Sequence, residues 1–523
     1  MKKIFIAFLF MCGLAACTSN FVNENTNPYQ ISDTSLKQDF NLVGSPFSGL
    51  LFNLFGHQIE EDLCYDSWMG YMNTPTDFVG NVNNTTYYIR WNSYWDRVYG
   101  SVMSPSKQVI QLAKSNNLPL FATWAKFIRI LSISKLTAVH GPVIYSNYGS
   151  TANSILYDKE SDLYNLFFAQ LDSIQSDFAA NKTYAGFAKF DPSYNGNIGS
   201  WMKLVNSERL RLAMRISKVA PALAKTQGEK AMADPAGLIV NNSDNFMVAL
   251  LGNLMPVAMI CYQWDDTRMG GVMESFLAGL NDGRAAKMFA PASDAADLVD
   301  HPAFPYKGIR NGAFCGTTKP HMLKYSKVSN DFNSVQNRRA FTAAETSFLK
   351  AEAALRGWAG AGDAKTNYEN GIRLSFADWG AGGVDTYIAD NTSKPLNYVD
   401  YSDARNNFTS RSTITVAWND GDSNELKLEK IITQKWINTF TNTLEAWCDF
   451  RRTGYPKIPH VAKNDSSPDW GVIPADQWIK RMPFVNGERT GNTAAVADAT
   501  SKLGGPDDIS SRLWFDTGDG PNF

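Results

Sequence analysis

The segment from Thr342 to Phe376 constrains the fold most strongly, because it predicts two consecutive helices that must pack together. Thr342 and Glu345 have the spacing of a capping box, which marks a helix start. The first helix then has an apolar face made of Phe348, Ala351, Leu355 and Trp358. After a turn at Gly360, the apolar face of the second helix consists of Tyr368, Ile372 and Phe376. The segment is therefore predicted to be a helical hairpin.

The same three- and four-residue spacing recurs along the chain and predicts a mainly helical protein. Further helices are expected at about 121–131, 164–178, 201–218, 426–440 and 444–450. The hairpin resembles one tetratricopeptide unit, a helix pair that stacks on its neighbours, although the chain shows no strict repeat of about 34 residues. Strands are expected to be few, with short hairpins in 303–328. The long irregular stretches between the helices are predicted to be functional.

The first residues predict an exported lipoprotein. Lys2 and Lys3 precede an apolar run from Ile4 to Ala16, which is too short to span a bilayer. The run ends in Leu14-Ala15-Ala16-Cys17, the pattern of a signal peptide that is cleaved before a cysteine. Acylation of Cys17 would supply the anchors needed for stable membrane attachment. An ordinary secretory signal with a chance cysteine is the alternative.

This pattern sets the predicted domain organisation. It comprises a signal peptide over 1–16, a lipidated flexible tether over 17–36, and a single helical domain over 37–523 with loop-rich insertions at about 229–340 and 380–425.

Composition narrows the class of function. The 523 residues carry a formal net charge of −2, so nothing in the charge favours a nucleic acid or an anionic membrane surface as partner. Aromatic residues make up 13% of the chain, including 14 Trp and 21 Tyr, and such side chains in polar loops suit a sugar-stacking or peptide-gripping surface. The cysteines of the mature chain, Cys64, Cys261, Cys315 and Cys448, have no metal-ligand spacing, and we expect buried thiols rather than disulfides.

Five sequence blocks follow the lipobox in order and span nearly the whole chain. They are Asn25-Thr26-Asn27-Pro28, the run from Asp191 to Arg215, the run from Phe348 to Trp358, the run from Thr433 to Pro456, and the run from Arg481 to Asn492. Each block alone is a weak signal, but their content and order resemble the SusD/RagB family of outer-membrane lipoproteins.

The resemblance implies a mainly α fold in which tetratricopeptide-like hairpins form an α-α superhelix, with long ligand-binding loops and few short strands. It also implies a lipid-anchored glycan-binding protein of the outer membrane, facing the cell exterior, without a cofactor. Such a protein would capture an oligosaccharide and deliver it to a SusC-like TonB-dependent transporter. The chain lacks the acidic cluster that often follows the lipidated cysteine, its first acid being Glu24, so its orientation on the membrane stays open.

Three alternatives to glycan binding remain. Some members of the family serve peptide uptake, so a peptide-binding lipoprotein of the same architecture is the first. A glycoside hydrolase is the second. A lipoprotein whose main role is its interface with the transporter is the third.

The first candidate site lies in residues 65–95, which combine flat aromatic rings with amide and carboxylate side chains that suit a sugar. The candidate ligand contacts here are Trp68, Tyr71, Asn73, Asp77 and Trp91. Trp68 and Tyr71 would share one helical face, and the sequence is equally compatible with an exposed and with a buried position for them. Trp91 and Trp95 could both belong to the core of the next helix, and for Trp95 we expect the core.

The second candidate site is the run from Tyr262 to Arg268. Its candidate contacts are Trp264, Asp265 and Arg268. Asp265 and Asp266 could instead hold a calcium ion, although adjacent acids alone are a weak indication. Asp378-Trp379 and Trp418-Asn419-Asp420 are lesser candidates.

The arginine-rich motifs predict packing rather than ligand binding. We expect Arg451 and Arg452, which follow Trp447 and Asp449, to lie between aromatic rings and carboxylates and to hold the C-terminal helices together. The same interpretation applies to Arg209, Arg211 and Arg215, with Glu208 as a nearby partner.

Catalysis finds little support. None of the five His has zinc-protease spacing, and no Gly-x-Ser-x-Gly elbow or phosphate-binding loop is present. We therefore expect a binding protein and not an enzyme, with no metal. A pair of glycosidase carboxylates cannot be read from sequence, because their separation is set in space.

Overall fold

The computed structural model describes residues 38–76, 82–152, 154–293, 303–315, 324–518 and 520–523. The predicted signal peptide, Cys17, the tether over 17–36 and Asp77 lie outside these residues. None of the helices in the described ranges is both long and apolar enough to cross a membrane.

Helices dominate the described residues. The α-helices of nine or more residues are α1 (Ser104–Ser115), α2 (Pro119–His140), α3 (Glu160–Ala180), α4 (Ile198–Arg215), α5 (Pro221–Ala233), α6 (Gly271–Gly279), α7 (Ala343–Leu355), α8 (Ala364–Trp379), α9 (Asn424–Asn438), α10 (Thr443–Thr453) and α11 (Thr493–Leu503). Shorter α-helices are Asn41–Gly44, Phe47–Phe52, Tyr94–Val98, Pro256–Ala258, Ala285–Met288, Val384–Ala389 and Asn486–Gly491. Three π-helical segments span Gln58–Asp66, Tyr99–Met103 and Met259–Gln263. Single 3₁₀ turns occur at Gln38–Phe40, Asn84–Thr86, Asn242–Asp244, Asn330–Asn333 and Ala404–Asn406.

Consecutive helices pack as hairpins, as the sequence predicts. The pairs are α1 with α2, α2 with α3, α4 with α5, and α7 with α8, while α9 packs on α7. The predicted mainly α fold with tetratricopeptide-like hairpins is thus confirmed, and each helix expected from apolar spacing is present.

The hairpin of α7 and α8 is unusually close at one point. A Cβ atom at Gly371 of α8 would come within 2.6 Å of the ring of Phe348 in α7. A side chain at position 371 would therefore clash with a ring that is itself fully buried. Gly371 sets how closely the two helices approach.

The capping box predicted at the start of α7 is only half formed. The hydroxyl of Thr342 accepts a hydrogen bond from the backbone N–H of Glu345, at 3.2 Å, as expected of an N-cap. The carboxylate of Glu345 does not complete the box but binds the guanidinium of Arg211 at 2.7 and 2.9 Å. The prediction was wrong for Glu345, because a buried cation on α4 competes for the same carboxylate.

Strands are few and short, as predicted, but lie elsewhere than expected. They are β1 (Met72–Asn73), β2 (Phe246–Ala249), β3 (Arg268–Met269) and β4 (Asn337–Phe341). β1 pairs antiparallel with β3, and β2 pairs antiparallel with β4. The expectation of hairpins in 303–328 is corrected: the described residues there make isolated bridges, Ile309 to Gly270 and Val328 to Phe289.

Buried ion pairs join the helices at the centre of the fold. Besides Glu345, Arg211 binds Glu208 one turn earlier on α4, at 2.7 Å. Arg215 binds Glu445 of α10 at 2.5 Å. Arg209, at the edge of this group, binds Asp172 of α3 at 2.6 Å. These contacts confirm the structural role predicted for the three arginines.

The C-terminal arginine pair is also structural, as predicted. The guanidinium of Arg451 lies 3.4 Å from the ring centre of Trp447 and binds the carbonyl oxygens of Ala138 and Lys480. Arg452 binds Asp449 at 2.9 Å and also a carboxylate of α7. Of the four cysteines expected to be buried thiols, Cys64, Cys261 and Cys448 are buried and Cys315 is half-buried.

Candidate functional site

The pairing of β1 with β3 brings the two predicted site segments together. Met72 lies opposite Met269, and Asn73 lies opposite Arg268. The backbone N–H of Gly270 also donates to the carbonyl of Tyr71, at 2.8 Å. The segment before Asn73 therefore lies directly beside the loop that ends at Arg268.

The first of these segments is buried, which corrects the site expected there. Trp68 is 2% exposed, and its indole N–H donates to the carbonyl of Asn84 at 2.8 Å. Its ring packs against Trp447, with centroids 5.1 Å apart. Because both the ring and its donor are engaged in the core, Trp68 offers no face to a sugar in this structure. We remove it from the site.

Tyr71 and Asn73 are also buried and are also removed from the candidate site. The hydroxyl of Tyr71 donates to the carbonyl of Trp436 at 2.6 Å, and the residue is fully buried. The amide of Asn73 accepts from the hydroxyl of Ser67 and donates to the carbonyl of Arg310 at 2.8 Å. These side chains support the loop around β3 from below and do not reach its surface.

Trp91 is half-buried and stays a candidate. The amide of Asn84 fixes the backbone around it, accepting from the N–H of Trp91 at 3.1 Å and donating to its carbonyl at 2.8 Å. The guanidinium of Arg90 lies 5.2 Å from the Trp91 ring centre. Trp95 is buried, as expected.

Trp264 is the exposed tryptophan of the chain. All fourteen Trp lie in the described residues, and Trp264 alone among them counts as exposed, at 40%. It follows the π-helical segment Met259–Gln263, and its backbone N–H donates to the carbonyl of Met259 at 3.3 Å. The ring of His57 lies 5.4 Å away and supports it from one side. The result is a flat ring that is held in place while much of it faces solvent.

Charged groups fix the loop immediately after this ring. Asp265 has a φ of 55°, in the left-handed region. Its carboxylate binds Lys327 at 2.8 Å and the buried Arg268 at 3.0 Å. Partial burial would raise the pKa of Asp265, but hydrogen bonds from Lys327 and Arg268 lower it below its ordinary value. The carboxylate is therefore ionised at neutral pH and locks the loop to β3.

Further polar groups surround the ring. The amide of Gln58 donates to Asp266 at 3.2 Å. The hydroxyl of Tyr262 donates to the carbonyl of Val328 at 2.6 Å, and Lys327 lies 5.0 Å from the Tyr262 ring centre. We call this the Trp264 surface, defined by His57, Gln58, Tyr262, Trp264, Asp265 and Lys327. An apolar ring face bordered by amide, hydroxyl, carboxylate and ammonium groups is the arrangement that a pyranose ring requires.

Sequence reasoning found only part of this surface. Trp264 and Asp265 were predicted, and Arg268 proves to be a buried support. His57, Gln58 and Lys327 were missed, because they reach the surface from distant segments and carry no local motif. The alternative of calcium at Asp265 is disfavoured, because two cations, Lys327 and Arg268, already bind its carboxylate. Of the lesser candidates, Trp379 is buried and Asp378 is paired with Arg339, while Trp418 is half-buried.

A second feature was missed entirely. A cavity of about 680 Å³ lies at the C-terminal end of the chain. It is assembled from residues 411, 425, 450, 451, 453–455, 457, 460, 476–480, 512 and 520–522, which no single motif links. Its walls carry Trp478, Tyr455 and several basic side chains.

Comparisons with known proteins agree with the fold. Residues 23–516 match the family model described as SusD-like, SusD and RagB outer membrane lipoprotein. A chitin-binding SusD homologue from Flavobacterium johnsoniae is 37% identical, with a TM-score of 0.86, 92% of this chain covered and 100% of that one. A SusD homologue from Bacteroides uniformis is 33% identical (TM-score 0.81; 91% and 99% covered). A SusD-like protein from Bacteroides thetaiotaomicron is 29% identical (TM-score 0.81; 91% and 100% covered). No curated protein sequence gives a significant match.

Proposed function

The chain belongs to the SusD-like family of outer-membrane lipoproteins, whose members are binding proteins and not enzymes, and on this premise we propose that it binds an oligosaccharide through the Trp264 surface. The exposure of Trp264 carries the proposal. An exposed indole face can cover the C–H groups of a sugar ring, while the neighbouring polar groups bond its hydroxyls.

The scaffold suits a binding role because the ring is preorganised. Trp264 is held by a backbone hydrogen bond and by His57, and the following residue is held by two cations. Ligand binding would then cost little conformational entropy, because the protein is already ordered at the site. Binding without large backbone movement is the expectation for such a site.

The relative from Flavobacterium johnsoniae is described as chitin-binding. Chito-oligosaccharides are therefore the first ligands to test on this chain. A ring that carries an N-acetyl group adds an amide donor and acceptor, which Gln58 and Asp265 on the Trp264 surface could bind.

We further propose that Cys17 carries the lipid anchor and that residues 17–36 act as a tether for one helical domain over 37–523. Bound oligosaccharide would then pass to a SusC-like TonB-dependent transporter. A short lipid-anchored tether would keep the domain over the transporter and raise its local concentration there. Co-purification of that transporter with the tagged lipoprotein from native membranes tests the partnership, and its absence from gently solubilised membranes would contradict it.

Calorimetry tests the binding proposal. The lipidated protein in detergent is titrated with chitohexaose, maltohexaose, cellohexaose and a mixture of short peptides. We expect at least one oligosaccharide to bind, and Trp264→Ala to raise its Kd about 10-fold, which corresponds to about 1.4 kcal/mol.

The matched control is Val472→Ala, which also removes an exposed apolar side chain, here 61% exposed. This control should leave the Kd unchanged. Binding of peptides alone would instead favour the peptide-binding alternative, and sugar binding that is indifferent to Trp264→Ala would move the site.

A further inference from the structure

A small cavity lies between the segments that hold Trp264 in place. One part of its wall belongs to the π-helical segment Gln58–Asp66 and to His57 before it. Another part belongs to Met255 and Ile260, in the stretch of chain that leads to Trp264. The cavity admits about 10 Å³, the room that a single water molecule needs. An organic ligand therefore cannot enter it, but the state of its polar groups can act on both segments.

The carboxyl of Asp62 lines this cavity without a hydrogen-bond partner. Asp62 is 2% exposed, and neither of its oxygens accepts a hydrogen bond within the part of the chain that the structure describes. The hydroxyl of Thr267 lies nearby, but it donates to the carbonyl of Asn73, at 3.4 Å. An ionised carboxylate has about four acceptor sites, more than one water molecule can fill. The cavity therefore suits Asp62 only when its carboxyl carries a proton.

The neighbouring charges favour the same form. Burial, followed by the charge of Asp66, raises the pKa of Asp62 well above its ordinary value, and Asp266 and Glu61 act in the same direction. Burial also raises the pKa of Asp66, to about 6. Loss of the Asp62 proton would thus add a negative charge among other acids, in a space that water hardly enters.

The guanidinium that lines the cavity is committed to other partners. Arg338 of β4 binds Glu61 at 2.6 Å, and its Nε donates to the carbonyl of Thr441 at 2.9 Å. Its Nη1 has no hydrogen-bond partner among the described residues, so no bond links it to Asp62. Glu61 also accepts from the backbone N–H of Gly56 at 2.8 Å. The Arg338–Glu61 pair therefore fixes the turn before His57 and leaves Asp62 without a counter-ion.

Other charged groups around Asp62 are paired or neutral. Helix α10 packs against Gln58–Asp66, but its Glu445 binds Arg215. Asp449 of the same helix binds Arg452. The remaining titratable or charged groups near Asp62 or its immediate neighbours are His57, Cys64, Cys261, Asp266, Arg268 and Lys135. Burial lowers the pKa of the imidazole and raises that of both thiols, so these three are neutral at pH 7.

The cavity is mechanically connected to the Trp264 surface. Two members of that surface, His57 and Gln58, begin the segment that carries Asp62. Ile260 of the cavity wall belongs to the π-helical segment that ends just before Trp264. A buried charge must be solvated or paired, so an ionised Asp62 would draw water between the two segments and separate them. Separation would remove the support that holds the exposed ring.

We propose that the Asp62 carboxyl is a proton-dependent latch for the Trp264 surface. While Asp62 carries its proton, Gln58–Asp66 stays packed and the surface binds oligosaccharide. When the proton passes to solvent, the segment loosens and the ligand is released, so ligand affinity falls as pH rises. The effect on the ligand rests on the proposed function, whereas the loosening of the segment does not.

Calorimetry across pH tests the effect on the ligand. The lipidated full chain is titrated with chitohexaose, maltohexaose and cellohexaose at pH 5, 7 and 9. We expect the Kd of the wild type to rise about 10-fold from pH 5 to pH 9, within the range usual for coupling between two sites. Asp62→Asn, which is nearly isosteric but cannot ionise, should have the same Kd at each pH. A constant Kd in the wild type, or equal pH dependence in Asp62→Asn, would overturn the proposal.

Two further variants sharpen the result. Asp385→Asn removes an exposed carboxylate and should follow the wild type. Asp66→Asn removes the neighbouring charge that most raises the pKa of Asp62, so its Kd should begin to rise at a lower pH than in the wild type. Thermal unfolding shows which variants are folded, and Asp66→Asn decides the case if Asp62→Asn is not. An unshifted pH profile in folded Asp66→Asn counts against the latch.

Hydrogen exchange tests the latch without any ligand. Peptides that cover Gln58–Asp66 should exchange faster in the wild type than in Asp62→Asn at pH 9, and equally in both at pH 5. Equal exchange at both pH values would overturn the latch. If the exchange differs but no oligosaccharide binds, the proposed function fails and the latch is supported. If binding requires Trp264 but does not vary with pH, the latch fails and the proposed function is supported.

Discussion

Arg452 binds both carboxylate oxygens of Glu352, at 2.5 and 2.8 Å, and so joins α10 to α7 inside the core. Both residues are 1% exposed. Glu352 also accepts from Arg356 one turn later, at 2.7 and 2.9 Å. Burial by itself would raise the pKa of Glu352, but the two guanidinium groups lower it to about 2. The pair holds the predicted hairpin against the C-terminal helices.

This pair predicts a loss of stability in acid. Because the folded-state pKa of Glu352 lies below its ordinary value of 4.5, the pair stabilises the fold fully above about pH 4.5. That contribution, about 3 kcal/mol, is lost as pH falls from about 4.5 to about 2. Urea unfolding at pH 7, 4 and 3 should show Glu352→Gln to be destabilised at pH 7 and less sensitive to acid than the wild type. The exposed Asp385→Asn serves as control and should follow the wild type.

The pKa of Glu160 predicts the opposite dependence of folding stability on pH. Glu160 is the first residue of α3, and burial raises its pKa to about 7 although one carboxylate oxygen accepts from the backbone N–H of Trp514 at 2.9 Å. The protonated form is the one the fold favours, so its contribution is complete below pH 4.5 and is lost as pH rises through about 7.

Glu160→Gln should remove this dependence. The variant is expected to be more stable than the wild type at pH 8, by about 3 kcal/mol at most, and to differ little at pH 4. Denaturant midpoints at the two pH values measure the change. Asp162→Asn, on the same helical turn but exposed, provides the comparison. Equal pH dependence in Glu160→Gln and wild type would contradict the assignment.

Trp68→Ala should act on the fold rather than on the ligand. Its ring fills the core beside Trp447, and removal of a large buried aromatic costs about 3–5 kcal/mol. We expect a lower unfolding midpoint but an unchanged Kd for any oligosaccharide, measured where the variant is folded. Trp264→Ala should show the reverse pattern, with stability within about 1 kcal/mol of the wild type. Weaker binding by a folded Trp68→Ala would return Trp68 to the site.

The contrast between these two tryptophans explains what sequence could predict. Helices follow from local spacing, so the hairpin of α7 and α8 was predictable from Thr342 to Phe376. Burial of Trp68 depends on Trp447, which lies at the other end of the chain and is brought near only by the tertiary fold. Spacing alone gives Trp68 and Trp264 the same prospects as ligand contacts.

Competition between local and distant partners limits what sequence can predict at other positions too. Glu345 has the position of a capping residue, but Arg211 takes its carboxylate. Lys327 reaches Asp265 from a separate segment, with no pattern that foretells the contact. The C-terminal cavity is the extreme case, since it arises only when distant pieces of chain meet.

We expect membrane attachment to depend on Cys17, the last residue of the proposed lipobox. Mass spectrometry of the N-terminal peptide should find diacylglycerol and an amide-linked chain on Cys17. Cys17→Ser should move the protein from the membrane to the soluble fraction, because the acyl chains supply the attachment. A membrane-bound Cys17→Ser protein would show that another anchor acts, and an unmodified Cys17 at an intact signal sequence would contradict the prediction.

The backbone at Asp265 gives the Trp264 surface a test that does not remove the ring. Its φ of 55° is left-handed, which costs a residue with a Cβ about 1–2 kcal/mol and glycine almost nothing. Asp265→Ala and Asp265→Gly both lose the contacts to Lys327 and Arg268, so their difference isolates the backbone. We expect Asp265→Gly to be more stable than Asp265→Ala by about 1 kcal/mol in urea unfolding, the reverse of the usual order. The loop carrying Trp264 should also loosen in both variants, with a several-fold rise in the Kd for the oligosaccharide. If alanine proves the more stable, the left-handed turn after Trp264 is not formed in solution, and the ring is not held as described.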